Sequence, residues 1–108
     1  MPLLYDFNLD SADDLAQRLA TNVKCRRLEK GLSRGALSMM SGVPVPTIAK
    51  FEQQHCISLK GFLALAKAMG YTDALKSLLA EPVYTTMEEL DTINKNKDRK
   101  RGRNEFNQ

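Results

Sequence analysis

The chain is poor in the residues that catalysis and metal binding usually draw on, with one histidine and two cysteines in 108 residues. Cys25 and Cys56 are too few and too isolated for a disulfide scaffold. With His55 they make no spaced ligand set, so no metal and no cofactor is expected. His55 and Cys56 stand side by side in a predicted loop and are read as solvated. A glycine-rich phosphate loop is missing, as is any Ser, His and Asp constellation. Glu52 has no second carboxylate or nucleophile at a meaningful spacing, so the chain is not expected to be an enzyme. No apolar run is long enough to span a bilayer, and Met1 to Asp10 lacks the basic start and apolar stretch of a signal peptide. A soluble, cytoplasmic, reduced protein without membrane contact is expected.

What is present is enough for one small domain, with 43% hydrophobic residues compatible with a compact core. The net charge of +3 hides a strong segregation. Residues 1 to 23 and 61 to 94 are each acidic by three charges. Residues 24 to 60 carry seven Lys or Arg against Glu29 and Glu52, and residues 95 to 108 carry six against Asp98 and Glu105. Positive charge concentrated at two places favours a polyanion there, because each phosphate neutralised releases counterions.

Local patterns divide the chain. Ser11 with Asp14 forms a capping-box pattern, and Leu15, Leu19 and Val23 recur at helical spacing toward Gly31, which predicts a first helix over 12–30. Ser33 caps a second helix, Arg34 to Ser41, ended by Gly42. The third runs from about Val45 to Gln53, with Pro46 tolerated in its first turn. Ser58 opens a fourth helix whose apolar face is Leu59, Phe62, Leu63, Ala66 and Met69, stopped by Gly70. Thr72 caps a short fifth that ends before Pro82. Val83-Tyr84-Thr85 favours a strand, and Thr86 with Glu89 repeats the capping-box pattern ahead of Leu90 and Ile93. From Asn94 on there is no apolar period, and a dense basic run predicts disorder in the free chain.

The stretch Arg34 to Glu52, RGALSMMSGVPVPTIAKFE, carries the most information. Leu37 and Met40 can face a core, Ser38 lets a second helix cross closely, Gly42 supplies a left-handed turn, and Ile48 and Phe51 restart the apolar period. This is the pattern of a helix-turn-helix, whose second helix lies in the DNA major groove. With Ile48 and Phe51 inward, Thr47, Ala49 and Lys50 point outward.

Residues 12 to 80, about two-thirds of the chain, resemble the Cro/cI type, or xenobiotic-response-element family, of bacterial and phage regulators. The marks are Leu32-Ser33, the Ser41-Gly42-Val43 turn, Thr47 to Glu52, Ser58-Leu59, and Leu65 to Gly70. The resemblance implies an all-α, five-helix, lambda-repressor-like domain over 12–81, after an N-terminal segment 1–11. It also implies a DNA face made of Ser33, Arg34, Val45, Pro46, Thr47, Ala49, Lys50 and Lys60, and a place in the bacterial cytoplasm at the nucleoid. Arg34 and Lys50 can reach phosphates or guanine, and Val45 and Ala49 can meet thymine methyls. The chain departs from the family pattern in three places. Pro44 replaces the usual Ser or Thr cap, with Pro46 biasing Val45 away from helical angles and arguing for a late helix start. Arg34 replaces glutamine. The Gln53 to Ile57 loop is short and lacks glycine.

Beyond the domain, an extension over 82–94 and a flexible tail over 95–108 are expected. In the tail Lys95, Lys97, Arg99, Lys100, Arg101 and Arg103 form a basic run that suits a nonspecific DNA arm and a merely solvating tail equally. One helix-turn-helix covers one half-site, so a homodimer on operator DNA is expected, with Leu75, Leu78, Leu79 and Val83-Tyr84 as candidate interface residues that suit a monomer core equally. Phe51-Glu52 before a glycine-free loop, and TMEELD followed by basic residues, are similar to HipB-type regulators. That resemblance implies an antitoxin or co-repressor with a HipA-like kinase toxin as partner.

Overall fold

The computed structural model describes residues 10–99. The expected N-terminal segment 1–11 therefore lies outside the described residues but for Asp10 and Ser11. Six helices occur among the described residues, with no strand: α1 (Ala12–Glu29), α2 (Arg34–Ser41), α3 (Val45–Gln54), α4 (Leu59–Ala68), α5 (Thr72–Ser77) and α6 (Met87–Asn96). The chain divides into two compact units, one through Lys76 and one from Ser77.

Caps set the helix limits in the first unit. The Ser11 hydroxyl accepts the Asp14 amide at 3.0 Å and the Asp14 carboxylate accepts the Ser11 amide at 3.1 Å, closing the capping box that starts α1. Ser33 and Ser58 cap α2 and α4 by accepting the amides of Ala36 and Gly61. Gly42 ends α2 at φ 80°, where its amide donates to the Ser38 carbonyl at 2.8 Å. Pro46 does not delay α3. The Pro44 carbonyl accepts the amides of Thr47 and Ile48, so the helix starts at Val45 and the missing Pro46 amide is one that no helical partner would have taken. At the other end His55 takes the left-handed conformation, φ 65°, that glycine usually supplies in such a loop.

The core joins Ala20 and Val23 of α1, Leu37 of α2, Val43 of the turn, Ile48 and Phe51 of α3, and Leu65 and Met69 around α4. Phe62 packs its ring edge against Phe51, 6.0 Å between centroids at 71°. Burying Leu37, Ile48 and Leu65 completely contributes about 1.5–3 kcal/mol each. In this core α2 packs on both α3 and α4, and α1 packs on α3.

Two expected apolar faces are met only in part. On α1 the inward stripe is Ala16, Ala20, Val23 and Arg27, while Leu15 and Leu19 are about half exposed. The stripe that wins is the one that carries Arg27 to an acid on α3. At α4, Phe62, Ala66 and Met69 of the expected face turn inward together with the fully buried Leu65, whereas Leu59 and Leu63 are exposed, and on α2 Met40 also faces solvent.

The second unit contains α6. Thr86 caps it through the Glu89 amide, but the returning Glu89 carboxylate goes one residue further back, to the Thr85 amide at 2.6 Å and its hydroxyl at 3.2 Å. The amide bond from Thr85 is the largest influence holding Glu89 below the usual carboxylate range. Val83-Tyr84-Thr85 is not a strand. A ladder needs a second strand, none exists among the described residues, and the Thr85 amide is already taken. The helix continues through Asn96, so the basic stretch begins on the last turn of α6 rather than in open chain.

Candidate functional site

The segment that pins α2 to α3 also presents the outward side of α3. Along α3, Ile48 is fully buried, Phe51 nearly so, and the Glu52 side chain is only 1% exposed, so this side of the helix is sealed. Val45, Pro46 and Lys50 are exposed on the other side; Ala49 is half-buried between them, and Thr47 is half-buried at the edge. Spacing of four residues stacks Val45 on Ala49 and Pro46 on Lys50. The result is a short apolar surface with one cation, ending in the exposed Gln53 and Gln54.

Ser33 and Arg34 sit where α2 begins. The Ser33 oxygen is engaged as the cap, while Arg34 is the first helical residue and is 30% exposed. Arg34 is not a free surface cation, since its Nε donates to Glu52 Oε1 at 3.1 Å. The same carboxylate accepts Arg27 Nε at 2.8 Å on Oε2 and Arg27 Nη2 at 2.9 Å on Oε1, a bidentate pair. Arg27 is buried and spends a further donor, Nη1, on the Leu32 carbonyl at 2.9 Å.

This cluster joins α1, the start of α2 and the end of α3 through one carboxylate. Burial pushes the Glu52 carboxyl up, but the hydrogen bonds and charges of Arg27 and Arg34 outweigh it and leave it below the ordinary range. The bond to Glu52 raises Arg27 further, against the opposing effect of burial. Two guanidiniums on one carboxylate leave one positive charge in excess, at the partly exposed Arg34.

Arg27 has no place in the sequence-based site, although a signal for it exists. It lies four residues after Val23 and seven after Ala20, a cation at an inward position that requires a buried acid. Lys60 is exposed in the first turn of α4 and makes no ion pair among the described residues. Lys95, Lys97 and Arg99 are exposed in the second unit, where Arg99 donates to Asn96 at 2.8 Å; Lys100, Arg101 and Arg103 lie outside the described residues. Cys25 and Cys56 are exposed free thiols. Among the described residues no group of acids, histidines and cysteines could hold a metal, and no helix is long and apolar enough to cross a membrane.

Compared with protein-family models, with curated proteins and with solved structures, the chain gives no match in any of the three.

Proposed function

We propose that the chain is a sequence-specific, double-stranded DNA-binding transcriptional repressor of the Cro/cI type, with α1 to α5 as a lambda-repressor-like domain and α2 and α3 as its helix-turn-helix. The observation that carries this reading is the two-sided character of α3. One side is sealed by Ile48, Phe51 and Glu52, and the other offers Val45, Pro46, Ala49 and Lys50 on a helix braced from behind by α2.

In this reading α3 enters the major groove. Lys50 reaches a phosphate or a guanine edge, the apolar surface of Val45, Pro46 and Ala49 meets thymine methyls, and Arg34 and Ser33 approach the backbone from α2. The local excess of positive charge over residues 24 to 60 supplies the sequence-independent part of the affinity. The protein acts as a homodimer on two half-sites about one helical turn apart and represses its own operon.

A mobility shift with the DNA upstream of the chain's own gene tests the reading. A shift is expected, and no shift at low salt would refute it. Lys50→Ala should weaken binding while leaving the unfolding midpoint unchanged; if Lys50 contacts a phosphate, the slope of log K against log salt falls by about 1.

A second reading, a HipB-like antitoxin that binds a HipA-like kinase with DNA binding secondary, is favoured by the second unit. There Leu78, Leu79, Val83, Tyr84 and Met87 are all exposed, apolar surface suited to a protein partner. Co-purification of a kinase encoded beside the gene would favour it.

A further inference from the structure

The Glu52 carboxylate is shared between a buried arginine that holds the fold and a half-exposed arginine at the edge of the α3 face. We propose that Glu52 is a positioning residue for Arg34: by taking Nε, it fixes the guanidinium so that its two Nη groups face DNA as a fork for a pair of acceptor atoms. This inference rests on the DNA-binding reading above.

Three observations carry it. The Glu52 carboxylate is held from behind, 1% exposed and engaged by the bidentate contact from Arg27. Arg34 uses only Nε, and among the described residues nothing takes its Nη groups. The cluster carries one positive charge more than the carboxylate balances, and that excess sits at the 30% exposed end. A lysine could not do both jobs. Its ammonium is a single point on a flexible stem, able to reach either the carboxylate or the DNA, whereas a guanidinium can be held on one edge and donate from another. Two phosphate oxygens, or guanine O6 and N7, present the paired acceptors such a fork fits.

The experiment uses the full chain, a duplex selected from a random pool, and a random duplex, with affinity read by fluorescence anisotropy and folding by urea midpoint. Arg34→Ala and Arg34→Lys should both keep the wild-type midpoint closely and both bind the selected duplex about tenfold more weakly. The conservative change should therefore fail to rescue. Glu52→Gln, measured where it remains folded, should cost about the same factor alone and nothing further in the R34A background. Loss on the selected duplex only, abolished by 7-deazaguanine at one position, identifies guanine as the acceptor; equal loss on both duplexes with a shallower salt slope identifies phosphate. Wild-type affinity in Arg34→Lys overturns the proposal, because Arg34 is then a plain charge. Should Glu52→Gln fail to fold, the comparison of lysine with alanine at position 34 still decides whether Arg34 acts as a fork, the condition without which the proposal falls. A wild-type chain that binds no duplex would instead remove the DNA-binding reading itself.

Discussion

Glu52→Gln should be the most destabilising single exchange of one polar group in the first unit. The carboxylate is 1% exposed and receives two bonds from Arg27, whose side chain is 7% exposed, and one from Arg34. Removing its charge leaves the Arg27 guanidinium buried without compensation, which costs about 3–5 kcal/mol. The Arg34 share adds little, since an ion pair with a partner that is 30% exposed is worth below about 1 kcal/mol. A domain of this size has only about 5–15 kcal/mol in total, so the variant loses a large fraction of its stability. Urea unfolding followed by circular dichroism at neutral pH measures it. With an m-value of about 2 kcal/mol/M, the midpoint falls by roughly 1.5 M or more. The pH dependence has a definite sign. The folded state holds the Glu52 carboxyl below its ordinary 4.5, so its contribution is complete above that pH and is lost as pH falls through the lower folded-state value. Wild type should therefore lose stability in that acidic window relative to Glu52→Gln, and the gap between the two should close. A midpoint shift under about 0.3 M at neutral pH, or a gap that widens on acidification, would refute the clamp.

Ile48→Ala should cost about 2–5 kcal/mol because the side chain is fully buried, whereas Met39→Ala, 87% exposed, should stay within about 0.5 kcal/mol; urea midpoints compare them. Gly42→Ala should destabilise by about 1–2 kcal/mol purely through its φ of 80°, since an added Cβ would meet nothing within 4 Å. Gly61→Ala should be destabilising for the opposite reason, with a Cβ only 2.9 Å from Ile57 Cγ1 in an ordinary helical conformation. Removing residues 97–108 should weaken binding to selected and random duplexes alike and flatten the salt dependence by about 0.9 per lost phosphate contact; an unchanged slope would exclude the tail as a DNA arm.

Much of the local structure was legible because it rests on interactions within a few residues. Ser11 with Asp14, Ser33, Gly42, Ser58 and Thr86 mark helix limits where they were expected, since a cap needs only a side chain and an amide two or three positions away. The inward places of Leu37, Ile48 and Phe51 were legible for the same reason of short period. Arg34 and Lys50 could be singled out as cations beside α3, but not told apart. One is tethered and the other is exposed, and that difference depends on an acid 18 residues beyond Arg34.

By itself, the sequence determined an all-helical course through 12–77, the glycine turn between α2 and α3, and a positive charge gathered around them. Only tertiary structure decided which of two competing stripes on α1 turns inward. Leu15 and Leu19 are the more apolar, yet Ala20, Val23 and Arg27 are buried, in the rotation that gives the guanidinium 25 residues from Glu52 its bidentate partner. Tertiary structure also denied Val83-Tyr84-Thr85 a strand, since β propensity is realised only against a second strand. Caps and turns close locally; burial, charge pairing and strand pairing depend on where distant segments arrive.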